Sequence, residues 1–233
     1  MDPCLSAQSR RAVLMVGMAS ILAACDQVTQ KGARAGAFVA PLDGAARSPG
    51  SADMDALYAA RADGGYLVPA IPYRQIPQRF HRQRVAYSGS AAPGTIVVET
   101  QARLLFLVEP GGTAMRYGIA VGSAGFAWKG EGVIGRRQAW PRWTPPPEML
   151  ARKPGLTRYV SDEGSMAPGL SNPLGARALY IFQNGRDTLY RIHGSPEWQT
   201  IGRAASSGCV RLINQDAIDL YDRVQTGSRV IVS

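Results

Sequence analysis

The sequence lacks a hydrophobic run long enough to cross a membrane. The apolar segment near its start, Ala12 to Ala24, has 13 residues, whereas a membrane-spanning helix needs about 20. This segment follows Arg10 and Arg11 and ends in small residues, a pattern typical of a cleaved export signal. The sequence therefore predicts a signal peptide over residues 1–24.

The end of this signal indicates how the mature chain begins. The residues Leu22 to Cys25, LAAC, resemble a bacterial lipobox. The resemblance implies a lipoprotein in which Cys25 is lipidated and held at the inner or outer membrane, with plain cleavage and release as the alternative. The run SRRAVL at residues 9–14 also resembles a twin-arginine export motif, although an ordinary basic flank would look the same.

Cysteine and histidine are scarce, with three and two residues in a chain of 233. Cys4 would leave with the signal and Cys25 would carry lipid, so Cys209 would be the one free thiol in an oxidising compartment. No disulfide could then form within the mature chain. One cysteine and two histidines also fall short of the usual tetrahedral zinc set, and we expect no metal site and no cofactor.

Acidic residues are fewer than basic ones, at 17 against 26. Loss of the signal removes two arginines and one aspartate, which leaves 24 basic and 16 acidic residues and a net charge of about +8. Such a surface favours anionic surroundings. Nucleic acid is not expected for an exported protein, so lipid headgroups or wall polymers are the expected partners, unless the charge serves solubility alone.

One stretch, from Tyr190 to Leu212, carries residues that point to chemistry. A thiol attacks as the thiolate, so a catalytic cysteine needs a base within hydrogen-bond reach. His193 lies 16 positions before Cys209, so the two meet only if a strand with the histidine and a loop with the cysteine fold together. Gly194 and Gly208 permit such a course, because glycine allows tight turns and close approach of backbone N–H groups to a substrate.

A lone cysteine is more often an inert buried residue than a nucleophile. Here, however, the run from Ser206 to Leu212, SSGCVRL, follows His193 and Gly194 at a set spacing. Together these residues closely resemble the signature of the L,D-transpeptidase catalytic domain of YkuD type. The resemblance covers Thr95 to Val232.

The resemblance implies a peptidoglycan L,D-transpeptidase of the periplasm, acting in cell wall biogenesis and cell shape. Cys209 would attack the diamino-acid carbonyl of a tetrapeptide stem and expel the terminal D-Ala. An amine of a second stem, or of a protein to be attached to the wall or outer membrane, would then take the acyl group. His193 would donate and accept the protons, and Gly194 or Ser195 would orient it.

The same resemblance implies further site residues. Backbone N–H groups around Ser207, Gly208 and Cys209 would hold the oxyanion. The expected substrate-binding residues are Arg211, Ser206, Trp143 and Tyr190. Arg211 could equally brace the loop, because an arginine fork suits both roles.

Three other functions fit the same residues. Water could replace the acceptor amine, which would make the enzyme an L,D-carboxypeptidase. The Cys209 and His193 pair could also cut peptide bonds in the manner of a papain-type endopeptidase. In the third case the chain is a peptidoglycan-binding lipoprotein whose thiol does not react.

The remaining sequence predicts a flexible tether and extended arm over residues 25–94 and a mainly β catalytic domain over 95–233. The family resemblance implies a mixed-sheet sandwich with one or two helices. β-rich runs predict strands at 95–100, 103–108, 114–121, 178–183, 186–193 and 229–232. Asn184 and Gly185 predict a tight hairpin that places His193 at a strand exit. A helix is expected from Gln215 to Val224, capped by Asn214.

The stretch from Phe126 to Gly175 shows few regular signals. It is rich in tryptophan and proline around Trp140 to Met149, and its resemblance to the family implies that it lines the substrate cleft. Many family members carry a Thr-Pro-x-Gly segment here, whereas this chain has Trp-Thr-Pro-Pro-Pro at residues 143–147.

Overall fold

The computed structural model describes residues 51–122, 129–160, 164–206 and 208–233. Its strands, in chain order, are β1 (Arg61–Asp63), β2 (Tyr66–Val68), β3 (Gln83–Ala86), β4 (Ile96–Glu99), β5 (Leu104–Glu109), β6 (Thr113–Gly118), β7 (Val121–Gly122), β8 (Gly130–Ala139), β9 (Arg177–Gln183), β10 (Arg186–Ser195), β11 (Ala204–Ser206), β12 (Val210–Ile213) and β13 (Arg229–Val232). The helices are α1 (Ser51–Leu57), α2 (Pro147–Arg152) and α3 (Asn214–Arg223). Short 3-10 turns cover Tyr73–Gln75, Gln78–Phe80, Pro154–Tyr159 and Trp198–Thr200.

Nine of these strands form one sheet in the order β12-β10-β9-β8-β13-β4-β5-β6-β3. The pairs β10–β12 and β13–β4 are parallel and the other pairs are antiparallel. This confirms the predicted mainly β fold with a mixed sheet. Residues from both halves of the sheet, such as Leu105 of β5 and Ile192 of β10, share one hydrophobic core with Leu220 of α3. The sheet therefore curves around this set of buried residues, which we call the main core cluster.

The hairpin between β9 and β10 turns at the expected dipeptide. Asn184 and Gly185 both have positive φ, at 51° and 74°. A two-residue turn of this kind matches the twist of the strands it joins, and asparagine and glycine adopt it at low cost. β10 consequently runs from Arg186 through His193 and ends two residues later at Ser195.

Strand β8 lies in the stretch that showed few regular signals. Its glycines conceal the strand pattern, because they add no side chain to the alternation. Two of them are needed for packing against β9: a Cβ at Gly132 would lie 2.6 Å from the Phe182 carbonyl oxygen, and one at Gly135 would lie 2.3 Å from the Phe182 ring.

Residues 51–92 are folded onto the sheet, where the sequence predicts a tether and arm. We call this segment the arm. Its strand β3 pairs with β6, and it buries Tyr58, Tyr73 and Phe80. Tyr73 and Phe80 occur among prolines without strand or helix periodicity, so the pattern did not reveal their burial. None of the helices in the ranges described is long and apolar enough to span a membrane.

Candidate active site

Strand β10 and its neighbour at the sheet edge, β12, separate core residues from site residues by simple alternation. In the parallel register, Ile192 pairs with Val210 and His193 with Arg211. Ile192 and Val210 lie in the main core cluster. Because successive side chains of a strand point to opposite faces, His193 and Arg211 lie on the other face, which we call the site face.

Cys209 directly precedes β12 and continues this register. It lies beside Arg191 of β10, because the next residue, Val210, is paired with Ile192. Cys209 is partly buried, and the backbone N–H of Arg191 donates a hydrogen bond to its sulfur. Alternation places the thiol on the site face, one pair along from His193. The register thus places Cys209 and His193 on the same face of adjacent chain segments.

The imidazole of His193 is held by its own neighbour. Its Nδ1 lies 2.6 Å from the carbonyl oxygen of Gly194, so Nδ1–H donates and Nε2 is the basic nitrogen. Only 4% of the residue is exposed. Burial lowers its pKa to about 4, with smaller contributions from the charges of Arg211 and Arg191, while the Gly194 contact opposes the shift. His193 is therefore neutral at pH 7 and able to accept a proton.

Burial acts on Cys209 in the complementary direction. It raises the pKa of the thiol, because the thiolate loses hydration. The Arg191 backbone N–H and the positive charges of Arg191 and Arg211 partly offset this, whereas Asp187 adds to it. Burial thus favours a neutral thiol and a neutral imidazole in the resting protein.

The contact from Gly194 is supported by a buried amide. Asn214 Oδ1 accepts a hydrogen bond of 2.9 Å from the backbone N–H of Ala176. A Cβ at Gly194 would lie 2.3 Å from this oxygen, and one at Gly175 would lie 2.2 Å from it. Asn214 thus fills the space between both glycines. The sequence predicted it as a helix cap, but Ile213 occupies the cap position.

Glu197, in the segment that leads to Cys209, is held by two contacts. Arg211 pairs with Glu197 at 2.5 Å, and Ser195 Oγ accepts a hydrogen bond of 3.1 Å from the Glu197 backbone N–H. We call residues 196–206 the cysteine loop. Gly208 has φ of 134°, a conformation that favours glycine beside the sulfur.

The structure does not bring every expected residue to this site. Tyr190 packs against the main core cluster, on the face of the sheet opposite His193, and not on the site face where a substrate contact was expected. Trp143 is buried; its backbone is hydrogen-bonded to that of Met166, and its ring lies near the Tyr159 ring. No contact among the residues described joins Trp143 to His193. Ser206 contributes backbone to β11, while Ser207 and Cys25 lie outside the described residues.

The sequence prediction overlooked Arg191, which shares the site face with His193. Its position two residues before His193 on a strand is the signal that would have revealed it. In the part of the chain that the structure describes, no three histidine, cysteine, aspartate or glutamate side chains converge as a metal site.

Comparison with known proteins bears directly on this geometry. The YkuD model, described as the L,D-transpeptidase catalytic domain, matches residues 93–232, which include the whole site. The chain belongs to the L,D-transpeptidase family. Its curated relatives include the probable L,D-transpeptidase ErfK/SrfK of Escherichia coli K12, 33% identical over 150 residues, which cover 64% of this chain and 46% of the relative. The probable L,D-transpeptidase YbiS of the same strain is 31% identical over 152 residues, at 64% and 47% coverage.

The chain spans about half the length of the curated relatives it matches. One solved structure, from Brucella melitensis, is 45% identical and is covered over 99% of its length by 70% of this chain, with a TM-score of 0.47. It is described as a probable carnitine operon oxidoreductase, a description that concerns that protein alone.

Proposed function

We propose that this L,D-transpeptidase family member is a peptidoglycan L,D-transpeptidase with Cys209 as its nucleophile. The observation that carries the proposal is the Nδ1 contact of His193 with the Gly194 carbonyl, on the same sheet face as the thiol. This contact leaves Nε2 as the base for the thiol proton. In this proposal Cys209 is the nucleophile of a cysteine acyltransferase, His193 is its base, and the Gly194 carbonyl is the hydrogen-bond acceptor that orients the base.

The first half-reaction forms a thioester. The thiol proton passes to His193 Nε2 while Sγ attacks the diamino-acid carbonyl of a tetrapeptide stem. Backbone N–H groups around Ser207, Gly208 and Cys209 stabilise the oxyanion. The C–N bond to D-Ala then breaks, and the imidazolium gives its proton to the leaving amine.

The second half-reaction returns the enzyme to its resting state. The amine of an acceptor attacks the thioester carbonyl, and His193 Nε2 takes its proton. The C–S bond breaks, and the sulfur recovers the proton from the imidazolium. The acceptor is an amine of another stem or of a wall-attached or outer-membrane protein.

Neutral resting groups suit this cycle. A permanently ionised thiolate would be exposed to oxidation in an oxidising compartment, whereas a neutral thiol becomes nucleophilic only when its proton has a place to go. Arg191 and Arg211 contribute positive charge that favours the developing thiolate. The buried site therefore limits side reactions without requiring a metal or cofactor.

The test is to incubate purified protein with disaccharide-tetrapeptide and read product masses. A dimer lacking one D-Ala identifies transpeptidation, a tripeptide identifies carboxypeptidase activity, and cleavage elsewhere identifies an endopeptidase. Cys209→Ala should abolish all products and the thioester mass, and Cys209→Ser should leave at most a trace. Binding without any product in the wild type would identify a wall-binding lipoprotein instead.

We further propose that the signal at residues 1–24 directs export and that Cys25 carries a lipid anchor in the periplasm. Growth with a palmitate analogue should label the wild type but not Cys25→Ser, and the variant should move from membrane to soluble periplasmic fraction. A wild type that takes up no label would instead support a plain signal peptide.

A further inference from the structure

A second feature of the site face is a row of residues that runs away from Cys209 across three strands. Arg191 of β10 pairs in register with Tyr180 of β9, and Tyr180 pairs with Arg136 of β8. Since these residues are direct neighbours from strand to strand, their side chains share the face that carries the thiol. The row therefore reads Cys209, Arg191, Tyr180, Arg136.

The two arginines flank one phenol ring. The Arg136 guanidinium carbon lies 3.9 Å from the Tyr180 ring centroid, and that of Arg191 lies 4.4 Å from it. Tyr180 is buried, while Arg136 is exposed. Stacking on an aromatic face fixes a guanidinium plane and leaves its N–H groups directed to a ligand.

The three arginines of the site face differ in whether a carboxylate pairs with them. Asp187 binds Arg191 through both carboxylate oxygens at 2.7 and 3.0 Å, and Glu197 pairs with Arg211. No carboxylate within the described ranges pairs with Arg136. Among these three arginines of the site face, Arg136 is thus the one available to an anion.

We propose that Arg136, seated on Tyr180, binds a carboxylate of the peptide stem that lies away from the bond being broken. The inference rests on the proposed function for the identity of its ligand. A carboxylate fits because a guanidinium presents paired N–H donors that match two carboxylate oxygens. Arg191 is the inner cation of the row and is kept near the thiol by Asp187.

Distance selects which carboxylate can bind. Tyr180 lies two strands from the strand that follows Cys209, a separation of about 10 Å at the usual spacing of strands. The carboxylate of the departing D-Ala is about one residue, or 3.8 Å, from the scissile carbonyl. This distance is too short for that carboxylate to reach the Arg136 guanidinium over Tyr180. The ligand is therefore a carboxylate on the part of the stem that stays attached to the enzyme as acyl group.

The experiment measures binding without turnover, in full-length Cys209→Ala protein. The ligands are disaccharide-tetrapeptides whose free carboxylates have been converted to amides one at a time. We expect one retained-stem carboxylate whose amidation weakens binding by roughly 10- to 100-fold, the range for a charge-assisted hydrogen bond. That preference should disappear when Arg136→Gln is added. Arg229→Gln, an exposed arginine of β13, is the control and should keep it.

Turnover provides the second readout. In otherwise wild-type protein, Arg136→Gln should raise KM for the acid stem and leave kcat nearly unchanged, because the contact is made equally before and during reaction. A preference that persists in Arg136→Gln, a preference confined to the D-Ala carboxylate, or no binding of stems at all would overturn the proposal. If the wild type binds stems tightly through Arg136 but forms no product, the carboxylate site is supported. Only the proposed transpeptidation is then contradicted.

Discussion

The Nδ1 atom of His193 lies 2.6 Å from the carbonyl oxygen of the residue that follows it, Gly194. A backbone carbonyl cannot accept a proton at neutral pH, so this contact orients the ring and sets its tautomer without adding a charge. In a triad whose third member is a carboxylate, the negative charge of that carboxylate would favour the imidazolium. Here burial dominates, and the pKa of His193 falls to about 4.

This low pKa predicts the acidic limb of the pH profile. His193 acts as base only when neutral, so kcat/KM for thioester formation should stay high as pH falls and decline near pH 4 rather than near 6.5. Single-turnover D-Ala release between pH 3.5 and 8 tests this. An acidic limb near 6.5 would contradict the buried, neutral imidazole.

Loss of His193 should be costly, whereas loss of the other histidine should not. His193→Ala should lower the rate by about two to four orders of magnitude, as expected when a positioned acid and base is removed. His81 contacts the carbonyl oxygens of Tyr73 and Ile76 at 2.9 and 2.8 Å within the arm. His81→Gln keeps a donor there and should retain nearly full activity. Equal losses in both variants would show that the assigned base is wrong.

The raised pKa of Cys209 predicts a thiol that is slow to alkylate. In the free enzyme, iodoacetamide should react with Cys209 more slowly at pH 7 than with an ordinary cysteine, because less thiolate is present. The rate should rise only at a pH above the usual range for a thiol. Arg191→Met removes one nearby positive charge and should slow the reaction further. Mass spectrometry of the labelled peptide measures it, and fast labelling at pH 6 would contradict a neutral resting thiol.

Sequence patterns were most informative where chemistry or turn geometry constrains the residue type. His193 and Cys209 stood out because few residue types can serve as base and nucleophile, and the Asn184-Gly185 turn was predictable because few residues adopt its positive φ angles at low cost. The arm and strand β8 were not, since Phe80 and Gly135 matter only through partners distant in sequence. Tyr190 was assigned to the site, whereas the structure packs it against the main core cluster. Assigning each residue of the His193 strand to one face of the sheet, before naming site residues, would have identified Arg191.

Stability should depend on pH through two buried groups whose pKa values are shifted in opposite directions. His193 has a lowered pKa, so its contribution is present above pH 6.5 and is lost as pH falls toward 4. Asp216 is fully buried, and burial raises its pKa to about 7, although Arg82 opposes the shift. Its contribution is present below pH 3.8 and is lost as pH rises toward 7.

In the wild type, His193 and Asp216 change the free energy of unfolding in opposite directions as pH rises. Single variants should separate the two contributions. Asp216→Asn should leave a free energy of unfolding that rises by about 3 kcal/mol from pH 4 to 6.5, the value of a shift of this size. His193→Gln should leave one that falls as pH rises from 4 to 7. Urea denaturation at several pH values measures both. Identical pH dependence in the two variants would show that neither burial effect is present.

Phe80 should link the arm to the cysteine loop. Its side chain is buried and packs so closely on Gly202 that a Cβ there would lie 2.3 Å from the ring. Phe80→Ala should lower the free energy of unfolding by about 3–5 kcal/mol and slow Cys209 acylation, since loop residue Ile201 shares its cluster. Leu67→Ala, at 64% exposure in the same arm, should change stability by less than about 0.5 kcal/mol. A Phe80→Ala protein as stable as the control would show that the arm is not part of the domain core.

Asn214 should act on the chemistry through Gly194. Asn214→Ala leaves the Ala176 N–H buried without its acceptor, which should cost about 1–3 kcal/mol of stability, and it opens space beside Gly194. The Gly194 carbonyl, which orients His193, then has more freedom. We therefore expect kcat to fall even at urea concentrations well below the unfolding midpoint. Asn214→Asp restores an acceptor of the same shape and should recover stability, but its charge favours the imidazolium and should move the acidic limb upward from pH 4. Single-turnover profiles alongside urea denaturation separate these effects. If Asn214→Ala loses stability while its kcat and acidic limb match the wild type, Asn214 supports the fold alone and does not position the base.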